Sequence, residues 1–296
     1  MTAGYDLRDK VALVTGASRG VGAAIARALA EAGAVVACAA RSTASHPQRT
    51  PGTLDETVRR IEALGGRAIA VPTNLAEPEE VEAMVATTAE RLGRLDVLVN
   101  NAAVTFVGDL DVPLAKHELM MAINLTAPLI ASRAAVAHLR AAGGGRILNV
   151  SSVAGPLPVP GLMSYGISKI GLEHLTIDLA RMLQDDDIAV NCFRIDVPVE
   201  SEGFVANTPG LDRSTWEPCA VAAEGMLWML RQPATYSGRR ESMVGLRHRE
   251  GIMASRALHP PHPDTPGITE LFDGLAPNTA TMFADPAHTA AEEDLP

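Results

Sequence analysis

Seven short apolar runs recur along the chain, and longer amphipathic segments separate them. The runs are KVALVTG (10–16), AVVACAA (34–40), RAIAV (67–71), LDVLVNN (95–101), GRILNVSS (145–152), IAVNCFRI (188–195) and RRESMV (239–244). Helical patterns lie between them at Gly20 to Ala32, 53–66, Glu77 to Leu92, one or two helices through MMAINL to Leu139, Ser164 to Leu183, and 219–230. Strands that are apolar throughout, alternating with helices, predict an α/β fold: one parallel sheet of about seven strands covered on both faces. No linker interrupts the pattern, so residues 1–256 are expected to form a single domain.

Two segments leave this rhythm. RSTASHPQRTPG (41–52) is polar and rich in turn residues. From Ala257 to Pro296 there are seven prolines and seven acids without a lysine or arginine, so 257–296 reads as an acidic, Pro-rich tail, in which ITELFDGL has the pattern of a docking helical turn. That tail holds most of the net charge of -10. The body is near neutral, which argues against a nucleic-acid surface. Neither an apolar run of bilayer length nor a signal-peptide core stands out, so no membrane partner is expected. Three widely spaced cysteines, Cys38, Cys192 and Cys219, suit a reducing, cytoplasmic setting better than a disulfide framework.

TGASRGVG (15–22) closes the first run and opens the first helix. Gly16, Gly20 and Gly22 permit a tight turn whose free N–H groups meet a pyrophosphate at the helix start, with Ser18, Arg19 and Val21 completing the loop. A glycine-rich turn by itself is weak evidence; its place after the first strand of an alternating chain strengthens it. An NAD site ordinarily ends its second strand on an acid, whereas this one reads Ala39-Ala40-Arg41. Arg41 and Arg19 are then either partners of a 2′-phosphate or two solvated arginines. The missing acid favours NADP(H), with NAD(H) as the other choice.

Taken together, TGASRGVG, NNAA (100–103), MMAIN ending at Asn124, ILNVSS ending at Ser152, and YGISK with Tyr165 and Lys169 resemble the short-chain dehydrogenase/reductase family. The resemblance runs from about Asp9 to Val244. It implies a Rossmann-type doubly wound sheet in a single domain and a nicotinamide-dependent oxidoreductase. Each motif is modest alone, but their order is specific, and Ser152 stands 13 residues before Tyr165. The resemblance makes Tyr165 the acid–base residue, Lys169 its electrostatic partner and ribose ligand, Ser152 the donor to the substrate oxygen, and Asn124 the support of a water relay. Asn101, Ala102 and Ala103 would line the adenosine side with Asn74 and Leu75, and Asn100 would tie strands together. Residue chemistry agrees, because a phenol is a poor acid–base group unless a cation stabilises its phenolate, and a four-residue spacing puts Lys169 on the helix face of Tyr165. Taken alone, the two are an ordinary half-buried tyrosine and a solvated charge.

The chain also departs from the family. Ala103 replaces a glycine, and Asn74 stands where an acid binds adenine. After IAVN the family has Pro-Gly and then an N–H that holds the nicotinamide carboxamide. Here Phe193 to Pro198 reads FRIDVP, and proline has no N–H to give, so the loop takes another path or Val197 or Val199 donates. This loop and the insertion before GTLDET resemble the hydroxysteroid-dehydrogenase-like branch. Phe106, Leu157, Val159, Leu162, Met163, Phe204, Leu211 and Trp216 are candidate walls for an apolar carbonyl or secondary alcohol, beside a lid of composition VPVESEGFVANTPG. Glu200 and Glu202 would repel acidic substrates. The resemblance further implies a homodimer or homotetramer through helices around 125–140 and 164–183. The competing reading is a dinucleotide-binding sensor or scaffold with little turnover, motivated by the altered loop and the acidic tail.

Overall fold

The computed structural model describes residues 4–208 and 210–254. The acidic tail, its ITELFDGL segment and the boundary near residue 256 lie outside the described residues.

The seven expected strands are present: β1 Val11–Thr15, β2 Val35–Ala40, β3 Arg67–Pro72, β4 Val97–Asn100, β5 Gly145–Ser152, β6 Ile188–Ile195 and β7 Arg240–Ser242. They form one parallel sheet in the order β3-β2-β1-β4-β5-β6-β7. Alternate residues feed opposite cores: Ala12 and Val14 of β1 pack on one face, and Val11 and Leu13 on the other. The first face is covered by α1 (Gly20–Glu31), α2 (Leu54–Ala63) and α8 (Cys219–Leu230), and the second by α3 (Pro78–Leu92), α5 (Ala127–Ala141) and α6 (Met163–Leu183). The strand order reverses between β1 and β4, which opens a crevice at their carboxyl ends, where such sheets take ligands.

Local chemistry sets the element ends. Thr53 caps α2 by accepting from Glu56 N. Gly93 closes α3 in the left-handed region, and Pro78 sits in its first turn. Three differences from the sequence reading stand out. The last strand stops at Ser242, whose side chain caps a further helix, α9 (Met243–Glu250), that the periodicity does not reveal because its charged residues surround few apolar ones. The lid segment contains a short helix, α7 (Glu202–Asn207). The segment read as one or two helices through MMAINL is continuous: α4 (Leu114–Met121), a π-helical turn (Ala122–Thr126) and α5 run on as one helix from Leu114 to Ala141, which matches a membrane span by length and composition alone. Its apolar residues serve this fold, since Ala127, Ala131, Ala135 and Leu139 are buried in the core on the α3 and α6 side of the sheet.

A carboxylate locks the entry to the sheet. Asp96 has no exposure, and its Oδ2 accepts from Val11 N at 2.9 Å and from Arg94 Nε at 2.7 Å. Lys10 adds an ion pair at 3.3 Å. Replacing Asp96 with Ala strands the Val11 N–H, and urea unfolding is expected to show a loss of about 1–3 kcal/mol; a change under about 0.5 kcal/mol would contradict this.

Candidate active site

The turn after β1 is held from below. Thr15 Oγ1 accepts from the amides of Asn101 and Ala102 at 3.0 and 3.1 Å, and Asn101 Nδ2 donates to Thr15 O at 2.9 Å. Asn101 thus fastens the end of β4 to the glycine turn. A Cβ on Gly16 would lie 2.8 Å from Ala102 Cα, and one on Gly22 would lie 2.2 Å from Gly16 O, so both positions require glycine. The N-terminus of α1 opens next to this turn.

Arg19 leans toward the 41–52 loop, where its Nη2 donates to Gly52 O at 2.9 Å, and Ser42 Oγ donates to the same carbonyl at 2.8 Å. Arg19 Nε is buried and has no hydrogen-bond partner among the described residues. An orphan cationic donor beside a glycine turn at a helix N-terminus fits an anionic phosphate. Across the turn, Ser201 Cβ and Glu202 Oε2 lie 3.1 and 3.5 Å from the place a Cβ on Gly20 would occupy, so the lid rests on the head of α1. Glu202 therefore faces the glycine turn. Arg41 is exposed. Asn74 Oδ1 accepts from Ala76 N at 3.3 Å in a local turn, and Leu75 is half-buried beside it.

At the carboxyl end of β5, Ser152 follows strand residues whose carbonyls reach α6. Lys169 is 2 % exposed, its Nζ donates to Val150 O at 2.8 Å and lies 5.5 Å from the Tyr165 ring centroid. The solvated-charge alternative is thereby removed. Burial pulls the Lys169 ammonium down to about 8, opposed by Cys192 and Glu173. Burial pushes the Tyr165 phenol up to about 12, while the hydroxyls of Ser152 and Thr105 favour its ionised form. Thr105 is a residue that sequence reasoning missed, since it carries no spacing signal.

Asn124 lies in the π-helical turn and has no exposure. Its Oδ1 accepts from Val104 N at 2.8 Å, and its Nδ2 donates to Val104 O at 2.9 Å and to Ser168 Oγ at 3.1 Å. The side-chain amide is committed to holding the segment after NNAA, so a relay at Asn124 has only the backbone of the turn to use. Asn100 Nδ2 donates to Asn149 Oδ1 at 2.9 Å, tying β4 to β5 as anticipated.

Beyond β6, the altered loop takes its own path. Glu217 N donates to Pro198 O and Glu200 N to Glu217 O, both at 2.9 Å, around a bridge between Val199 and Glu217. Glu217 is held in turn by Arg247 at 2.8 Å. This pairing uses neither the Val197 nor the Val199 amide. Two of the candidate walls are corrected: Leu157 is 2 % and Trp216 7 % exposed, because Leu157 packs inward and Trp216 lies under Phe204 with ring centroids 4.8 Å apart. Phe106, Val159 and Leu162 are half-buried, and Met163, Phe204 and Leu211 are exposed.

The short chain dehydrogenase profile matches residues 10–197. The chain belongs to the short-chain dehydrogenase/reductase family. It is 39% identical over 205 residues to 3-oxoacyl-[acyl-carrier-protein] reductase of Synechocystis sp., covering 68% of this chain and 76% of that protein. It is 29% identical over 290 residues to hydroxysteroid dehydrogenase-like protein 2 of Danio rerio, covering 95% of this chain and 69% of the relative, in keeping with the branch suggested by the loops. Among solved structures, a short chain dehydrogenase from Burkholderia cenocepacia in complex with NADP superposes with a TM-score of 0.72 at 33% identity, covering 81% of this chain and 98% of the other. As a family member the chain is an oxidoreductase acting on CH–OH or carbonyl groups with a nicotinamide dinucleotide.

Asn124→Ala leaves both polar groups of Val104 without their partner. We expect a stability loss of about 1–3 kcal/mol in urea unfolding; an unchanged midpoint would show that the 104 segment is held by other contacts.

Proposed function

We propose that this dehydrogenase/reductase prefers NADP(H) and interconverts an apolar carbonyl compound and its secondary alcohol, with Tyr165 exchanging the proton. The observation that carries the reading is the buried Lys169 ammonium set under the Tyr165 ring, with Ser152 at the phenol. When bound, the dinucleotide supplies or takes up the hydride. In reduction Tyr165 Oη gives its proton to the developing alkoxide, and the Lys169 ammonium stabilises the phenolate left behind. Ser152 Oγ donates to the same substrate oxygen and orients it. Asn124 fixes the floor of the site through Val104.

Gly16, Ser18, Arg19, Gly20, Val21 and Gly22 would hold the pyrophosphate, and Asn74, Leu75, Asn101, Ala102 and Ala103 the adenosine. Arg41, together with Arg19, would meet a 2′-phosphate, a reading supported by the absence of an acid at the end of β2. Val197 or Val199 is the candidate donor to the carboxamide, since Pro198 has no N–H. The remaining apolar walls, Phe106, Val159, Leu162, Met163, Phe204 and Leu211, support a substrate without charge, and Glu200 and Glu202 would disfavour anions. Exposed Leu129 on α5 and Ile167 and Ile170 on α6 support assembly into a homodimer or homotetramer through those helices. Three free cysteines support a cytoplasmic setting. The named dehydrogenase and reductase relatives favour turnover over the sensor reading.

Tyr165→Phe is expected to lower kcat about 10²–10⁴-fold while NADPH affinity, followed by fluorescence titration, stays within a few-fold. Full turnover by that variant would refute the proton-transfer role. The pH dependence has a definite sign. The Lys169 ammonium exists below about 8, and Tyr165 is protonated up to about 12, so the reduction rate should fall as pH rises through about 8. A rate that climbs across that range would contradict it. Arg41→Ala should erode the preference for NADPH over NADH by about tenfold, or about 1.4 kcal/mol. Equal affinity of the unaltered protein for both cofactors would remove the NADP assignment.

A further inference from the structure

Beneath the proton-transfer residues lies a buried ion pair whose position exceeds a packing role. Glu173 stands one turn after Lys169 on the same face of α6, and neither it nor its partner meets solvent: Glu173 is 0 % and Arg194 2 % exposed. Arg194, from the end of β6, grips the carboxylate with Nε to Oε1 at 2.9 Å and Nη2 to Oε2 at 2.6 Å. Ser151, the neighbour of Ser152, donates its Oγ to Oε1 at 2.8 Å. One carboxylate therefore joins the helix of Tyr165 and Lys169, the strand of Ser152, and the strand that leads into the altered Ile195–Val199 segment. A buried ion pair is poor value as a stabiliser, because well-packed apolar residues of the same volume do as well or better.

We propose that Glu173 and Arg194 form a positioning pair that sets the proton affinity of Lys169, Glu173 holding the ammonium charged and Arg194 limiting that effect. Among the described residues, the charged and titratable groups around Lys169 are few. On α6 they are Tyr165 and Glu173; on β6 they are Cys192, whose thiol burial keeps protonated, and Arg194, with Asp196 beyond it. The β5 side offers only the Val150 carbonyl and the Ser151 and Ser152 hydroxyls, and the π-helical turn offers the neutral Asn124–Ser168 contact. Among the described residues Glu173 is thus the carboxylate one helical turn from Lys169, and burial limits the screening of its field by solvent.

The inference rests on the proton-transfer reading for its meaning, but its test does not need turnover. The chain has three lysines, Lys10, Lys116 and Lys169, so lysine 13Cε resonances in the NMR spectrum can be assigned with Lys10→Arg and Lys116→Arg and titrated one by one. Both Glu173→Gln and Arg194→Gln break the same ion pair, and a merely structural pair predicts effects of the same kind. The positioning role predicts opposite ones: Glu173→Gln lowers the Lys169 midpoint and Arg194→Gln raises it, each by about half to one pH unit, while Arg194→Lys leaves it near the original value. Shifts in the same direction, or none, overturn the proposal. Should Arg194→Gln not fold, Glu173→Gln decides alone, and an unchanged or raised Lys169 midpoint overturns it. If the midpoints move as stated but Tyr165→Phe keeps full turnover, the proton-transfer reading fails and the electrostatic pair stands. If Tyr165→Phe is inactive and the midpoints do not move, the reverse holds.

Discussion

A lysine ammonium taken out of water is the constraint around which this structure is arranged. Lys169 is 2 % exposed, and removing it from solvent draws its proton affinity down to about 8. The fold answers with a carbonyl, a ring face and a carboxylate: Val150 O at 2.8 Å, the Tyr165 ring at 5.5 Å, and Glu173 one turn further along α6. Each depends on a larger feature. The carbonyl requires β5 to stay paired with β6 along its full length, from Gly145–Ile188 to Ser152–Ile195. The ring and the carboxylate require an unbroken α6 from Met163 to Leu183. The charge that would make a phenol useful near neutral pH is therefore maintained by the central strands themselves.

The sheet, its parallel sense and the positions of most helices follow from the alternation of apolar runs and amphipathic segments, since strands covered on both faces can tolerate polar residues only where something pairs with them. The glycine turn was readable for the same reason: Gly16 and Gly22 leave no space for a side chain, and sequence records that constraint directly. The Tyr165–Lys169 pair was legible from helix spacing once Ser152 and Asn124 were placed beside it. Other features were not. The segment Leu114–Ala141 read as one helix or two because a π-helical turn shifts the helical period without breaking the chain. Thr105 reaches the site only through tertiary contact, and nothing in its spacing marks it. Leu157 and Trp216 looked like walls because composition cannot tell an apolar side chain turned inward from one facing a ligand. The pairing of Glu173 with Arg194 joins residues 21 positions apart, beyond any local pattern.

The departure from the family at Ile195–Pro198 now has a physical form. In place of a Pro-Gly turn, the chain anchors the base of its lid by pairing Pro198 and Glu200 with Glu217, which Arg247 holds. The lid then reaches the head of α1, where Ser201 and Glu202 lie against Gly20. One segment thus runs from the Pro198–Glu217 pairing to the glycine turn.

The most direct test of the account follows the transferred atom. NADPH deuterated at C4 would be incubated with the protein and a panel of apolar ketones, and the products analysed by mass spectrometry. The account predicts a secondary alcohol carrying one deuterium on its carbinol carbon, formed faster below pH 8 than above it. Tight binding of NADPH with no deuterated alcohol from any member of the panel would contradict it.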